Sequence, residues 1–164
     1  MAGNLIFSVI ALLIVTADQL AKLWINSILE PGQVFWEYGF LRIVLVYNTG
    51  AAFGLFQDWT GLLTVLRCIG LVIILVIVIL FNRRIINWGG KWIMLSLGLI
   101  FGGTAGNLVD IFRIGHVVDF IDLTYWPVFN LADSSVVVAM FILGFLILRD
   151  FLREKKKHGL SGNN

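Results

Sequence analysis

Four stretches of this chain are long and apolar enough to cross a lipid bilayer as helix, and nothing else in it constrains the fold as strongly. A helical crossing takes about 20 apolar residues. The stretches run roughly Leu5 to Ile25, Gly61 to Phe81, Lys91 to Val109 and Leu131 to Leu148. Charged residues make up only 13% of the 164, while 59% are hydrophobic. A soluble domain carries about 25% charged residues. The expectation is an α-helical membrane protein with four transmembrane helices, forming a single integral membrane domain over residues 1–164. Reading the first stretch as a cleaved signal peptide is disfavoured, because no Lys or Arg precedes it and no small-x-small site follows it. Cys68 is the only cysteine, which excludes a disulfide framework. With two histidines beside it, a structural zinc site is not expected.

The connections differ in charge. NRRIINWGGK, between the second and third spans, holds Arg83, Arg84, Lys91 and a Gly89-Gly90 turn signal. The tail holds Arg149, Arg153, Lys155, Lys156 and Lys157. The other two connections contain only Arg42 and Arg113. The positive-inside rule then puts the middle loop, the tail and the N-terminus in the cytoplasm, and residues 26–60 and 110–130 outside. Within the first outer segment, FWEYGFLRIVLVYN (Phe35 to Asn48) is rich in β-branched and aromatic residues, which predicts strands. AAFGLFQDW (Ala51 to Trp59) reads as an interfacial amphipathic piece. Together they predict a small extracytoplasmic β-rich segment between helices 1 and 2. Trp24, Trp36, Trp59, Trp88, Trp92 and Trp126 fall near span ends, as an aromatic belt requires.

Ionisable groups inside spans are costly and point to function. Asp18 and Lys22, spaced i, i+4, share one face of helix 1. They read either as a neutralising pair or as a polar strut beneath an active site. Arg67, a turn or two into the second span, reads as snorkelling to the outer headgroups. Asn107 and Asp110 close the third span. A carboxylate there faces the negative end of the helix dipole, so Asp110 needs a cation, and Arg113 is the local candidate. Asn130 and Asp133 have the spacing of a capping box ahead of an apolar run. Asp119 and Asp122 lie among apolar residues in the segment before the fourth span, and local sequence ranks them equally. The small residues of FGGTAGN read first as close helix packing. YNTGAAFG reads first as a turn, with Asn48 suited to clamping a peptide backbone.

Two carboxylates can divide a hydrolysis, one taking a proton from water and the other donating to a carbonyl oxygen. Like charges a few ångströms apart do not both ionise cheaply, so such a pair shares one proton. Other hydrolytic designs are missing from the sequence: no GxSxG elbow, no HExxH helix and no histidine in any span. The rival class is a small proton-coupled transporter or channel subunit, which also uses membrane carboxylates. Its weakness is that the acids gather near one set of span ends and form no relay. A plain membrane scaffold leaves Asp18, Asp110, Asp119 and Asp133 unexplained.

The motif blocks DQLAK (Asp18 to Lys22), YNTGAAF (Tyr47 to Phe53), GGTAGNLVD (Gly102 to Asp110), GHVVDF (Gly115 to Phe120) and FNLADS (Phe129 to Ser134) carry a resemblance. In this order and spacing the chain resembles the signal peptidase II family of bacterial lipoprotein-processing enzymes. The resemblance implies a membrane-embedded aspartic endopeptidase of the bacterial cytoplasmic membrane. It would cut prolipoproteins just before a diacylglyceryl-modified cysteine. The implied catalytic pair is Asp119 and Asp133, which settles the tie against Asp122. Asp18, Lys22, Asn48, Asn107, Asp110 and Asn130 would support the site or bind substrate. The implied enzyme needs no metal or organic cofactor, meets membrane lipids and its lipidated substrate, and binds globomycin-type inhibitors. One position departs from the family pattern: Ile111 stands where an arginine usually follows the acid of the GNxxD block. Either Arg113 takes over pairing with Asp110, or the site tolerates the loss of that arginine.

Overall fold

A computed structural model describes residues 2–49 and 60–161. The expected interfacial piece at Ala51 to Trp59, and the YNTGAAFG turn from Gly50 onward, lie outside the described residues. The elements are α1 (Ala2–Ile28), β1 (Val34–Tyr38), β2 (Leu41–Asn48), α2 (Thr60–Ile114), β3 (Val117–Asp122) and α3 (Leu131–Ser161).

Helix α1 shows why its sequence suits a membrane bundle. Gly3, Phe7, Ala11, Asp18, Lys22 and Ile25 fall on one buried stripe at helical spacing, while Leu5, Leu12, Leu13 and Leu20 face outward. A soluble protein does not leave such leucines uncovered on one side, whereas a lipid-facing helix does.

Among the described residues, three helices, not four, are long and apolar enough to cross a membrane. The second and third expected spans are one element: α2 has 55 residues and no intervening loop. A straight helix of that length would reach about 80 Å, far beyond a bilayer core. It is not straight. Gly90 has φ 63° and ψ −148°, a backbone conformation open essentially to glycine alone. Val78 and Met94 share one core with Phe7, with Ile74 and Phe101 packed against it. A straight helix would hold Val78 and Met94 about 24 Å apart. The chain therefore doubles back at Gly90, and α2 consists of two packed rods. The charged residues around this turn remain helical because only one residue has to leave the helix. The turn is tied to α3 by Trp88, whose Nε1 donates to Asp150 (2.9 Å) and whose carbonyl accepts from Arg149 (3.1 Å). Trp88 and Trp92 flank it, while Trp24 and Trp36 share a groove beside the sheet and Trp126 lies in the loop after β3.

The small residues in the second rod of α2 set helix spacing. A Cβ placed on Gly98 would meet the Phe7 carbonyl at 2.9 Å, and one on Gly102 the Ala11 carbonyl at 2.7 Å. Gly103 faces α3 at Ala132 and Ser135 instead. The reading of FGGTAGN as a packing surface holds, on two faces of the same rod.

Strands form where expected in the first connection, but the sheet has three strands in the order β1-β2-β3, all antiparallel. The third comes from the connection between α2 and α3, so the β-structure is not confined between helices 1 and 2. Val118 and Phe120 pack with Ile25 and Leu45 against the end of α1. In a strand, residues three apart point to opposite faces, so Asp119 and Asp122 part company. Asp122 lies opposite Arg42 and accepts its Nε at 2.9 Å. A backbone bridge, Ile121 to Phe129, then closes the loop that follows β3.

The glycine packing is testable by thermal unfolding in micelles. Gly102→Ala presses its new Cβ against α1 backbone, which cannot yield, and is expected to cost about 1–3 kcal/mol. Gly70→Ala, with nothing within 4 Å of its Cβ position, is expected to change stability by less than about 1 kcal/mol in either direction.

Candidate active site

The polar centre of the molecule is built around Lys22, which is fully buried. An isolated buried ammonium is unaffordable energetically, so its partners are decisive. Its Nζ lies 2.7 Å from Asp18 Oδ2, 2.8 Å from Asp110 Oδ2 and 2.9 Å from Asn107 Oδ1. An ammonium has three N–H donors, and all three are used. Gly106 makes room for this layer: a Cβ there would stand 2.8 Å from Asp18 Oδ2.

Each partner of Lys22 carries the network into another element. Asp18 Oδ1 accepts the backbone N–H of Ala132 at the start of α3 (3.0 Å). Asp110 Oδ2 accepts the backbone N–H of Val118 in β3 (3.2 Å). Asp110 Oδ1 accepts Gln19 Nε2 at 2.9 Å, and Gln19 also donates to the Gly106 carbonyl at 3.0 Å. The Asp18–Lys22 ion pair is formed, and Asp18 and Asp110 tie it to the backbone of α3 and β3. The expected Asp110–Arg113 pair is not formed. Helix α2 continues to Ile114, so Asp110 lies a turn inside it rather than at its end. Its cation comes from α1, and Arg113 stands exposed outside the group. Lys22 therefore answers the charge problem that Ile111 raised.

Asn107 transmits this order to the carboxylates. Its Oδ1 is held by Lys22, so its Nδ2 must point away, and it donates to Asp133 Oδ1 at 2.8 Å. Asn130 is fixed in the same manner. Its Oδ1 accepts the Asp133 backbone N–H at 2.9 Å, while Asp133 Oδ2 accepts the Asn130 N–H at 3.3 Å. This is the reciprocal capping box, formed as the spacing predicts. Asn130 Nδ2 is then free to donate to Asp119 Oδ1 at 2.6 Å. Asn48, diagonal to Asp119 across β2 and β3, donates to Asp119 Oδ2 at 2.8 Å.

Asp119 is nearly fully buried, and burial pushes its carboxyl from 3.8 up to about 7. The amide of Asn48 opposes this, the nearby charge of Asp133 adds to it, and Asn130 and Lys22 oppose it further. Asp119 and Asp133 both line a cavity of about 380 Å³, together with Asn48, Asn107, Trp126 and Pro127. Its volume leaves room for water and a short peptide segment beside two carboxyl groups. Among the described residues no cluster of His, Cys, Asp and Glu is arranged to hold a metal ion.

Of the residues singled out in the sequence, Asp18, Lys22, Asn48, Asn107, Asp110, Asp119, Asn130 and Asp133 form one connected network. Arg113 and Asp122 lie outside it. Two residues were passed over. Gln19 lies inside the DQLAK block, yet no local pattern marks its amide for a role of its own. Arg67, which local sequence marks only as a snorkelling cation, also lines the cavity.

Comparison with known proteins gives a consistent result. The family described as signal peptidase (SPase) II matches residues 10–149. A lipoprotein signal peptidase of Moorella thermoacetica is 39% identical over 87% of this chain and 92% of its own. One from Dehalococcoides mccartyi is 39% identical over 90% of this chain and 92% of its own. A bacterial membrane enzyme solved by the in meso method at 2.3 Å superposes with a TM-score of 0.74 and 30% identity. That match covers 88% of each chain. The transporter reading has no support among these relatives.

Two outcomes follow from the network. Lys22→Met leaves two buried carboxylates without their cation and is expected to lower stability by about 3–5 kcal/mol, read by thermal unfolding. For Asp119, the native state holds a proton between 3.8 and about 7 that the unfolded chain has released. Its contribution to stability therefore falls as pH rises through that window. Asp119→Asn removes the effect, so the variant is expected to exceed the parent in melting temperature at about pH 8. The gap should close toward about pH 4.

Proposed function

The chain belongs to the signal peptidase II family, and we propose that it is an aspartic endopeptidase that removes signal peptides from lipoproteins. The observation that carries the aspartic mechanism is the placement of Asp119 and Asp133 on the wall of one cavity, each oriented by asparagine amides and neither salt-bridged among the described residues.

Asp119, protonated up to about pH 7, donates to the oxygen of the scissile carbonyl. Asp133 takes a proton from the attacking water as its oxygen bonds to the carbonyl carbon. The carbon–nitrogen bond then breaks, the leaving amine takes the proton from Asp133, and the carbonyl oxygen returns its proton to Asp119. The products are a new amine and a carboxylic acid, and the dyad ends as it began. Asn48, Asn107 and Asn130 orient the two acids, and Asp18, Lys22 and Asp110 hold that amide frame in place. Neither metal nor organic cofactor enters these steps.

The substrate in this reading is a prolipoprotein cut just before a diacylglyceryl-modified cysteine. Its acyl chains would lie against the lipid-facing helices, where each buried CH₂ contributes about 0.8 kcal/mol. The protein acts as one integral membrane unit of the bacterial cytoplasmic membrane. The two rods of α2 give four crossings, with both termini cytoplasmic and the cavity toward the outer face. The charge of Arg83, Arg84 and the α3 tail supports that orientation. Globomycin-type peptides would compete for the same cavity.

The test is cleavage of a diacylglyceryl prolipoprotein by the purified protein in detergent. Asp119→Asn and Asp133→Asn are each expected to lose activity by about 10²–10⁴-fold or more, while Asp122→Asn retains it. Wild-type activity should decline as pH rises above about 7. Normal turnover by either of the first two variants would sink the dyad.

A further inference from the structure

The first rod of α2 carries a charge that the network around Lys22 does not use. Arg67 lies about two turns inside the Thr60 end of α2, and Asn107 about two turns inside the Ile114 end. Because the chain doubles back at Gly90, the two reach the same cavity from neighbouring rods. Arg67 is half-buried and is the only cation among the described residues lining that cavity.

A guanidinium within an apolar rod is costly unless an acceptor takes up its charge. Among the described residues none does. Asp18 and Asp110 are committed to Lys22, while Asp119 and Asp133 are held by asparagine amides. Arg67 thus brings a fork of five planar N–H donors to the lining of the space that, in the reading above, takes the peptide.

Hydrolysis changes the charge of that space. The substrate is an internal peptide bond and brings no carboxylate, but the product ends in one. It forms beside two acids that share at most one proton, so a further negative charge there is repelled. Lys22 cannot offset it, because its three donors are committed. Arg67 can, and its fork matches a carboxylate with two parallel hydrogen bonds.

We propose that Arg67 is the receptor for the carboxylate created at the new C-terminus of the signal peptide. The proposal rests on the peptidase reading above. It gives Arg67 a role in binding and release of product, distinct from proton transfer by the dyad.

The experiment compares two inhibitors of prolipoprotein cleavage: the released signal peptide with a free C-terminal carboxylate, and the same peptide as its C-terminal amide. The wild type is expected to prefer the carboxylate by about tenfold or more. Arg67→Gln should bring the ratio close to one, and Arg67→Lys should keep part of the preference. A purely structural role would move both inhibition constants together and leave their ratio alone. No preference in the wild type, or a preference kept by Arg67→Gln, overturns the proposal. If the ratio is unmoved and activity instead tracks the anionic lipid content of vesicles, Arg67 serves headgroup phosphates. Absence of any wild-type cleavage is a separate result: it fails the peptidase reading, and the proposal with it.

Discussion

Three hydrogen bonds from one buried ammonium hold the polar centre of this protein together. Lys22 pays its desolvation through Asp18, Asp110 and Asn107 at once. Through them it reaches the start of α3 at Ala132, the backbone of β3 at Val118, and the carboxylate of Asp133. The pieces that must meet at the cavity come from α1, both ends of α2, two strands and α3. Hydrophobic packing alone leaves such pieces free to slide in a membrane, because lipid tails are as apolar as the helices. A directional polar knot removes that freedom.

The cation orders the carboxylates at one remove. An ammonium in contact with Asp119 and Asp133 would favour both in the charged form and leave no acid to donate. Neutral amides orient without imposing charge. Asn107 converts the fixed position of Lys22 into a fixed donor toward Asp133, and Asn130 converts a helix cap into a donor toward Asp119. The same capping box that starts α3 therefore also spaces the two acids. A cap that looks purely structural in the sequence has a second task because its partner asparagine has an N–H₂ group left over.

What could be read in advance follows from the range of the forces involved. The Asn130–Asp133 cap is a local pattern and forms as expected, and the apolar stretches are helical, although two of them belong to one element. Strand β3 was not legible. VVDFID is covered on nearly every residue, so it shows no alternation to mark it as a strand. The continuity of α2 was hidden by Gly89-Gly90 and the arginines, which read as a loop although a single glycine suffices for the reversal. The partner of Asp110 was sought three residues away at Arg113, while Lys22 lies on a different helix. Spatial proximity overrode sequence proximity there, and no local rule predicts it. The motif blocks contain the network members, although these lie far apart along the chain.

The bridge between Ile121 and Phe129 has a consequence for how this molecule tolerates change. Phe129 N–H donates to the Ile121 carbonyl at 2.9 Å and its carbonyl accepts Ile121 N–H at 2.8 Å, so the chain is cinched immediately before Asn130. Everything between, including the exposed Tyr125 and Trp126, hangs from a closed neck. Residues added to or removed from that loop alter its reach across the mouth of the cavity without altering the spacing of Asp119 from Asp133. Under the proposed peptidase reading, substrate preference and chemical competence can therefore drift independently along an evolutionary lineage, one written in the loop and the other in its neck.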